Sequence, residues 1–309
     1  MKRQAAFTGK GKLLKGNLHT HSKRSDGGYE PEDVIKEYAE RGYDFLAITD
    51  HRKYNLKNFA PETGMVIIPG MEFDNTLPTE YGFKCFHTVC IGPTENNGYS
   101  QDETMPSGKA RDQIEYQSYL DEIHAKNNIT IYNHPEWSGT TARDFDRQKG
   151  NFAMEIWNSG SDEWHGIDTD AAYWDELLGQ GIKIFGIAND DMHFPPQMGR
   201  GWCMLNAEKN VDSILSSLRE GAFYSSCGPE IYDFYVDGNK AYVECSPASK
   251  IRLHSDMHPT KIVRGGDGLI TSAEFALDTW PGPYKYVRAT VIDENGKHAW
   301  TNPIFLDEE

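Results

Sequence analysis

Short apolar runs rich in Val, Ile and Phe recur along the chain, separated by longer amphipathic segments, and this pattern predicts alternating strands and helices. The runs predict strands over Leu13 to His19, Phe45 to Thr49, Met65 to Met71, Phe86 to Ile91, Ile129 to Asn133, Phe152 to Trp157, Lys183 to Ala188 and, shorter, Ala222 to Ser225. Pro31-Glu32-Asp33 opens a helix that runs to Arg41 and stops at Gly42, with proline at its start and glycine past its end as helices prefer. Further helices are predicted over Ile114 to Lys126, Asp168 to Leu178 and Val211 to Glu220. Seven or eight such β-α units in about 228 residues imply a (β/α) barrel, with a doubly wound open sheet as the competing architecture.

From Pro229 onward the texture changes to short alternating strands punctuated by turns such as Asp237-Gly238-Asn239 and Asp293-Glu294-Asn295-Gly296, without helical period. This predicts a small immunoglobulin-like β-sandwich over residues 229–309, with the barrel expected over residues 1–228. The connection Gly92 to Arg111, rich in Gly, Asn, Ser and Pro, is long enough for a lid or binding loop, or for mobile padding.

Composition narrows the function classes. A chain of 309 residues with 38% hydrophobic and 25% charged positions can bury its own core. Its five cysteines are odd in number and form no CxxC pair, so free thiols are expected rather than a disulfide framework or a thiolate zinc site. The net charge of −16 argues against a nucleic-acid surface, although divalent ions concentrated in one pocket would leave room for an anionic substrate. No run approaches a membrane span, and Met1 to Gly16 is polar and basic without a signal-peptide core, so a cytoplasmic protein is expected.

The chemistry lies at the predicted strand ends. His19-Thr20-His21 places two imidazoles on one face of an extended segment, and Ser25-Asp26-Gly27-Gly28 follows as a tight loop. Thr49-Asp50-His51, Gly70-Met71-Glu72, Asn133-His134-Pro135 and Asp191-Met192-His193 each follow or close a predicted strand, and His87 lies inside the run Phe86 to Ile91. Each signal alone is modest: a pair can be a solvated turn, and His87 a satisfied core histidine. Together, His19, His21, His51, Glu72, His134, Asp191 and His193 all fall at the strand ends that build active sites in barrels. Counting His87, six of the eleven histidines belong to this set, where unrelated surface histidines would scatter. Imidazole and carboxylate donors suit zinc, iron or manganese, and no GxGxxG or P-loop points to another cofactor.

The ordered set HTHS, SDGG, TDH, GME, a lone His, NHP and DMH resembles the polymerase and histidinol phosphatase (PHP) family over about Leu13 to Pro229. The resemblance implies a distorted (β/α)7 TIM-like barrel with two or three divalent ions and, in most members, phosphate-ester hydrolysis. It also implies the ligand sets: His19, His21, Glu72 and Asp191 on one ion, Glu72, His87 and His134 on a second, and Asp26, His51 and His193 on a third. Asp190 is a rival to Asp191, but only Asp191 gives the DxH spacing, and Asp50 is expected to orient a histidine rather than ligate. The segment Trp300 to Phe305 is similar to the sandwich of the carbaryl-hydrolase-like branch.

The expected activity is hydrolysis of a small phosphate mono- or diester by a metal-bridging hydroxide, with Asp26, His193 and Arg200 as catalytic candidates. His193 or an acid near it would protonate the leaving alcohol, and Arg200 in Gly199-Arg200-Gly201-Trp202 leads Arg24, Arg52, Lys53 and Arg143 as an outer phosphate contact. Trp137, Trp157 and Trp164 could line the pocket or simply pack. The alternatives are a carboxylic-ester or carbamate hydrolase on the same metals, and a non-catalytic metal- or carbohydrate-binding protein.

Overall fold

The computed structural model describes residues 3–7, 13–80, 82–104, 110–145, 148–167, 169–257, 261–279 and 282–306. Two parallel trios of strands carry the N-terminal region. Leu14–Asn17, Phe45–Ala47 and Val66–Ile68 form the first, and Ile129–Tyr132, Asn151–Asn158 and Phe185–Asn189 the second. These strands read as apolar runs because both faces are covered. Phe45 lies so close over Gly16 that a Cβ there would meet its ring at 2.0 Å, so only glycine lets the first two strands pair at this point.

The trios are joined by something the periodicity did not predict. Met65 to Met71 is not one strand: Val66–Ile68 ends, and Gly70–Thr79 then pairs antiparallel with Gly82–Ile91 along a ten-residue hairpin. Trp202–Leu205 is a further unpredicted strand, antiparallel to Leu14–Asn17. Among the described residues the strands therefore make three hydrogen-bonded sheets rather than one closed ring. Leu18, Ala47, Ile68, Val89, Ile131, Ala153, Ile187 and Cys203, drawn from both trios and the strands beside them, nevertheless pack into one buried cluster.

Helices occur close to where the pattern puts them. Pro31–Glu40 buries Val34, Ile35 and Tyr38, with Glu32 and Asp33 in its first turn favouring the positive end of its dipole. Gln113–Ala125 is capped by Asp112, and Val211–Glu220 by Asn210. The helix expected from Asp168 is Ala171–Gly179; position 168 itself lies outside the described residues. A short helix, Ser159–His165, was not predicted. No helix among the described residues is long and apolar enough to cross a membrane. All five cysteines are free thiols.

The C-terminal region is two facing sheets around a separate apolar core that includes Phe234, Val243, Ile251, Ala289 and Val291. Two ladders cross the expected boundary at residue 228. The N-terminal strand Gln4–Phe7 pairs with Ile231–Asp237, and Phe223–Ser226 pairs with His298–Thr301. An ion pair adds to this junction: the buried Arg288, on the strand Tyr286–Ile292, donates from Nε and Nη2 to Asp175 on the helix Ala171–Gly179 at 2.7 and 2.6 Å. His254 Nδ1 lies 3.1 Å from the same carboxylate. Burial and the neighbouring Arg288 lower His254 from 6.5 to about 4, and Arg288 together with His254 outweighs burial to hold Asp175 at about 2 rather than 3.8.

Both groups have folded values below their unfolded ones, so each adds stability that is lost on acidification, His254 between pH 6.5 and 4 and Asp175 between 3.8 and 2. Urea titrations at pH 7 and pH 4.5 should differ by about 2 to 3 kcal/mol from His254 alone. His254→Asn should shrink that difference. Asp175→Ala, which leaves a buried guanidinium unpaired, should cost about 3 to 5 kcal/mol.

Candidate metal centre

The first strand runs on into His19, Thr20 and His21, and neighbouring strand ends are stitched to it by isolated parallel bridges between Thr20 and Met192 and between His51 and Glu72. Asp191 N donates to His19 O at 3.0 Å, His21 N to Met192 O at 2.9 Å, and Glu72 N to Thr49 O at 3.0 Å. Segments far apart in sequence thereby form one rim. Gly27 allows the Ser25-Asp26 loop to fold over that rim, because a Cβ there would sit 2.6 Å from the His21 backbone. His134 and Asp191 hold positive φ, +30° and +49°, a conformation that persists in a non-glycine residue only where its surroundings enforce it.

All nine expected donors converge on this rim. Glu72 Oε2 lies 3.2 Å from Nε2 of His19, from Nε2 of His21 and from Nδ1 of His51, while its Oε1 lies 3.2 Å from His87 Nδ1 and 3.5 Å from His134 Nε2. Asp191 Oδ1 is 3.1 Å from Nε2 of both His19 and His21. Asp26 Oδ2 is 3.4 Å from His193 Nε2 and 3.6 Å from His51 Nε2. Within 4.8 Å the donors fall into three overlapping groups: His19, His21, Glu72 and Asp191; His51, Glu72 and His87; and His21, Asp26, His51 and His193. The first matches the expected set. In the second His51 stands where His134 was expected, with His134 3.5 Å from Glu72, and the third gains His21.

The donors fit divalent ions on their own geometry. Ligand atoms about 2.1 Å from a shared ion lie about 3.0 to 3.4 Å from one another in octahedral or tetrahedral arrangements, which is the spacing seen around Glu72 and Asp191. Two of these atoms, His51 Nδ1 and Asp191 Oδ1, are buried and make no hydrogen bond despite close polar neighbours. Buried polar atoms are ordinarily satisfied, so the two point to an ion as the missing partner.

Electrostatics agree. Burial alone would depress His21 and His87, but the carboxylates of Asp191 and Glu72 close beside His21, and the charge of Glu72 beside His87, outweigh it and push both up to about 10. Burial would raise Glu72 and Asp191, yet the surrounding imidazoles hold both well below the carboxylate range. His51, squeezed between burial and neighbouring imidazoles, moves down instead.

A second set of side chains fixes the donors. His19 Nδ1 donates to Glu155 Oε1 at 2.8 Å and His193 Nδ1 to the Asp191 carbonyl at 2.9 Å, which turns each Nε2 toward the cluster. Asn133 Nδ2 donates to Glu72 at 2.6 Å, Asn158 Nδ2 to Asp191 at 3.2 Å, and Ser138 Oγ meets His134 Nδ1 at 3.0 Å. Asp50 accepts from Ser22 N, Ser22 Oγ and Ser25 Oγ, so it orders the loop after His21 and reaches the His21 ring only through Ser25, whose Oγ lies 3.4 Å from His21 Nδ1. Asp190 is not a donor: Tyr38 and the amides of Gly199, Arg200 and Gly201 bind it, and burial raises it to about 6.

Glu155 was missed by the sequence reading, although a lone acid inside the apolar run Phe152 to Trp157 was its signal. It is fully buried and also accepts from Asn158, Asn189 and the His134 amide. Glu155→Gln should weaken metal binding about 10- to 100-fold in a competition titration while leaving the fold intact, the range for removing a ligand's orienting partner.

The donors open into a cavity of about 450 Å3, also lined by Trp137, Trp164, His165 and Phe194. Arg200 does not line it: its guanidinium donates to Asp162 at 2.5 Å and to Glu163 at 2.8 Å, acids on the unpredicted helix Ser159–His165. Arg24 binds Asp50 and Asp102, Arg52 binds Asp74, and Lys53 donates to the Arg24 carbonyl, while exposed Arg143 borders a different surface hollow. Trp157 is buried against Gly201 and packs rather than lines.

Residues 17–148, which carry seven of the nine donors, match the family model described as the PHP domain. That similarity spans less than half of the chain's 309 residues. Over 41 residues, 13% of this chain, it is 42% identical to the DNA polymerase/3'-5' exonuclease PolX of Bacillus subtilis, a match spanning 7% of that relative. A solved structure of a two-domain protein from Bacteroides vulgatus, described as containing a predicted PHP-like metal-dependent phosphoesterase, overlays with a TM-score of 0.52 at 14% identity, covering 98% of each chain. At that identity it is the fold that is shared. The PHP-domain match ends before Glu155, Asp191 and His193, which geometry alone joins to it.

Proposed function

We propose that the chain is a metal-dependent phosphoesterase that hydrolyses a small phosphate mono- or diester. The observation that carries this reading is the set of three overlapping donor groups sharing His21, His51 and Glu72, since adjoining ions a few ångströms apart are the arrangement that serves phosphoryl transfer. In this reading His19, His21, Glu72 and Asp191 would hold one ion, Glu72 and His87 with His51 or His134 a second, and Asp26, His51 and His193 a third. Zinc, manganese or iron held there would supply Lewis acidity toward phosphoryl oxygens and an acidified water.

The chain's own groups do the rest. In the overall reaction a water oxygen bonds to phosphorus, the ester P–O bond breaks, and the leaving oxygen takes up a proton. When the third ion is not bound, Asp26, half exposed at the cavity, and His193, with Nδ1 committed to the Asp191 carbonyl and Nε2 facing Asp26, are the groups placed to hold or pass protons there. Arg200 acts indirectly, bracing the helix that carries Trp164 and His165. Residues 1–228 are taken as the hydrolase unit and 229–309 as its sandwich. The wall is read as a distorted barrel, supported by the Thr20–Met192 bridge and the shared interior cluster.

The test is hydrolysis of nitrophenyl phosphate, bis-nitrophenyl phosphate and nitrophenyl acetate by protein loaded with manganese, zinc or iron. Cleavage of at least one phosphate ester is expected. Cleavage of the acetate alone would overturn the reading in favour of a carboxylic-ester or carbamate hydrolase, the activity suggested by the resemblance of the sandwich.

A further inference from the structure

The cavity lining divides into two chemistries. One part is the seven donors that face it, from Asp26 to His193; the other is Gly160 and Ser161 at the start of the helix Ser159–His165 together with the rings of Trp137, Trp164, His165 and Phe194. Among the described residues no lysine or arginine lines it, and Arg24 and Arg200 are committed to acids elsewhere. A phosphate bound here would have its charge met by the ions alone, so selection among phosphate esters falls to whatever touches the organic group. Apart from Gly160 and Ser161, what touches it is aromatic. The Trp137 ring centre lies 4.7 Å from that of His134 and 5.6 Å from that of His87, and the Trp164 ring centre lies 5.6 Å from that of His193.

Trp137, Trp164 and Phe194 are 40%, 52% and 44% exposed, large apolar faces kept wet beside the donors rather than folded into the core. Aromatic faces left open along the wall of one cavity are the usual lining of a ligand pocket. Rings in direct contact with donor imidazoles can reach a group only one or two bonds from a phosphorus seated among those donors. Resting on the phosphoesterase reading, we propose that the substrate is an aryl or arylmethyl phosphate ester whose ring is held against Trp137 and Trp164.

The test separates binding from turnover. Calorimetry on manganese-loaded full-length protein compares phenylphosphonate with ethylphosphonate, neither of which has an ester bond to break, in wild type, Trp137→Ala, Trp164→Ala and Trp164→Phe. Wild type should bind phenylphosphonate at least about tenfold more tightly, each alanine variant should lower that ratio about three- to tenfold, and Trp164→Phe should keep most of it. Release of inorganic phosphate from phenyl and ethyl phosphate is followed in parallel. Equal affinity of wild type for the two phosphonates, or a ratio untouched in both alanine variants, overturns the aromatic assignment and leaves the phosphoesterase reading standing. A wild-type protein that cleaves none of the phosphate esters overturns the reading itself, whatever the phosphonate ratio.

Discussion

Glu72→Ala is expected to reduce kcat by about 1,000-fold or more, corresponding to at least about 4 kcal/mol of barrier, and to lower the number of bound ions. The two oxygens of Glu72 lie within 3.5 Å of nitrogens from His19, His21, His51, His87 and His134, so five imidazoles depend on one carboxylate. It also belongs to two of the three donor groups. Removing it takes away a shared anion and leaves buried imidazoles to repel one another when protonated. Glu72→Gln separates the two effects, since it keeps volume and one acceptor but loses the charge. It should retain the fold by circular dichroism and still lose metal and turnover. A Glu72→Ala protein with wild-type metal content and kcat would mean that the carboxylate is only a structural partner for histidines.

Stripping the metals should have the second largest effect, on stability as well as activity. An ion present at about 1,000 times its dissociation constant adds about 4 kcal/mol, and 1 kcal/mol moves the melting temperature of a domain of this size by about 2 to 4 °C. A chelator should therefore lower Tm by about 10 °C or more and abolish hydrolysis, with both restored by manganese or zinc. The same equilibrium has a pH signature. In the metal-free site His21 and His87 titrate at about 10, so at neutral pH an entering ion must displace their protons. Apparent affinity should rise as pH increases toward 10, and calorimetry in buffers of different ionisation enthalpy should show proton release on binding. Affinity independent of pH between 6 and 9, without proton release, would contradict the donor assignment.

The donors were legible in the sequence because strand periodicity and residue chemistry reinforce each other: His19 and His21 share a face by spacing, and Glu72, His134 and Asp191 each follow an apolar run. What surrounds them was less so. The hairpin Gly70–Thr79 with Gly82–Ile91 was hidden because its outer half alternates with polar residues and its tip has no helical period, so only the buried halves stood out. Glu155 announced itself as an acid in an apolar strand, but its partner His19 lies 136 residues away and nothing local identifies it. Arg200 misled for a related reason. A guanidinium between glycines near a site suggests phosphate, whereas its partners Asp162 and Glu163 lie on a seven-residue helix too short to show a period. The N-terminal strand Gln4–Phe7 joins the C-terminal sandwich by a pairing across more than two hundred residues, which no local pattern encodes.

The central claim is that distant imidazoles and carboxylates converge to hold divalent ions. Anomalous diffraction from crystals of the manganese- or zinc-loaded protein tests it most directly. The expected result is at least two peaks, each about 2.0 to 2.3 Å from its donors, one bounded by His19, His21, Glu72 and Asp191 and another beside His87 and Glu72. Crystals soaked in saturating metal that show no peak among these residues would contradict the account.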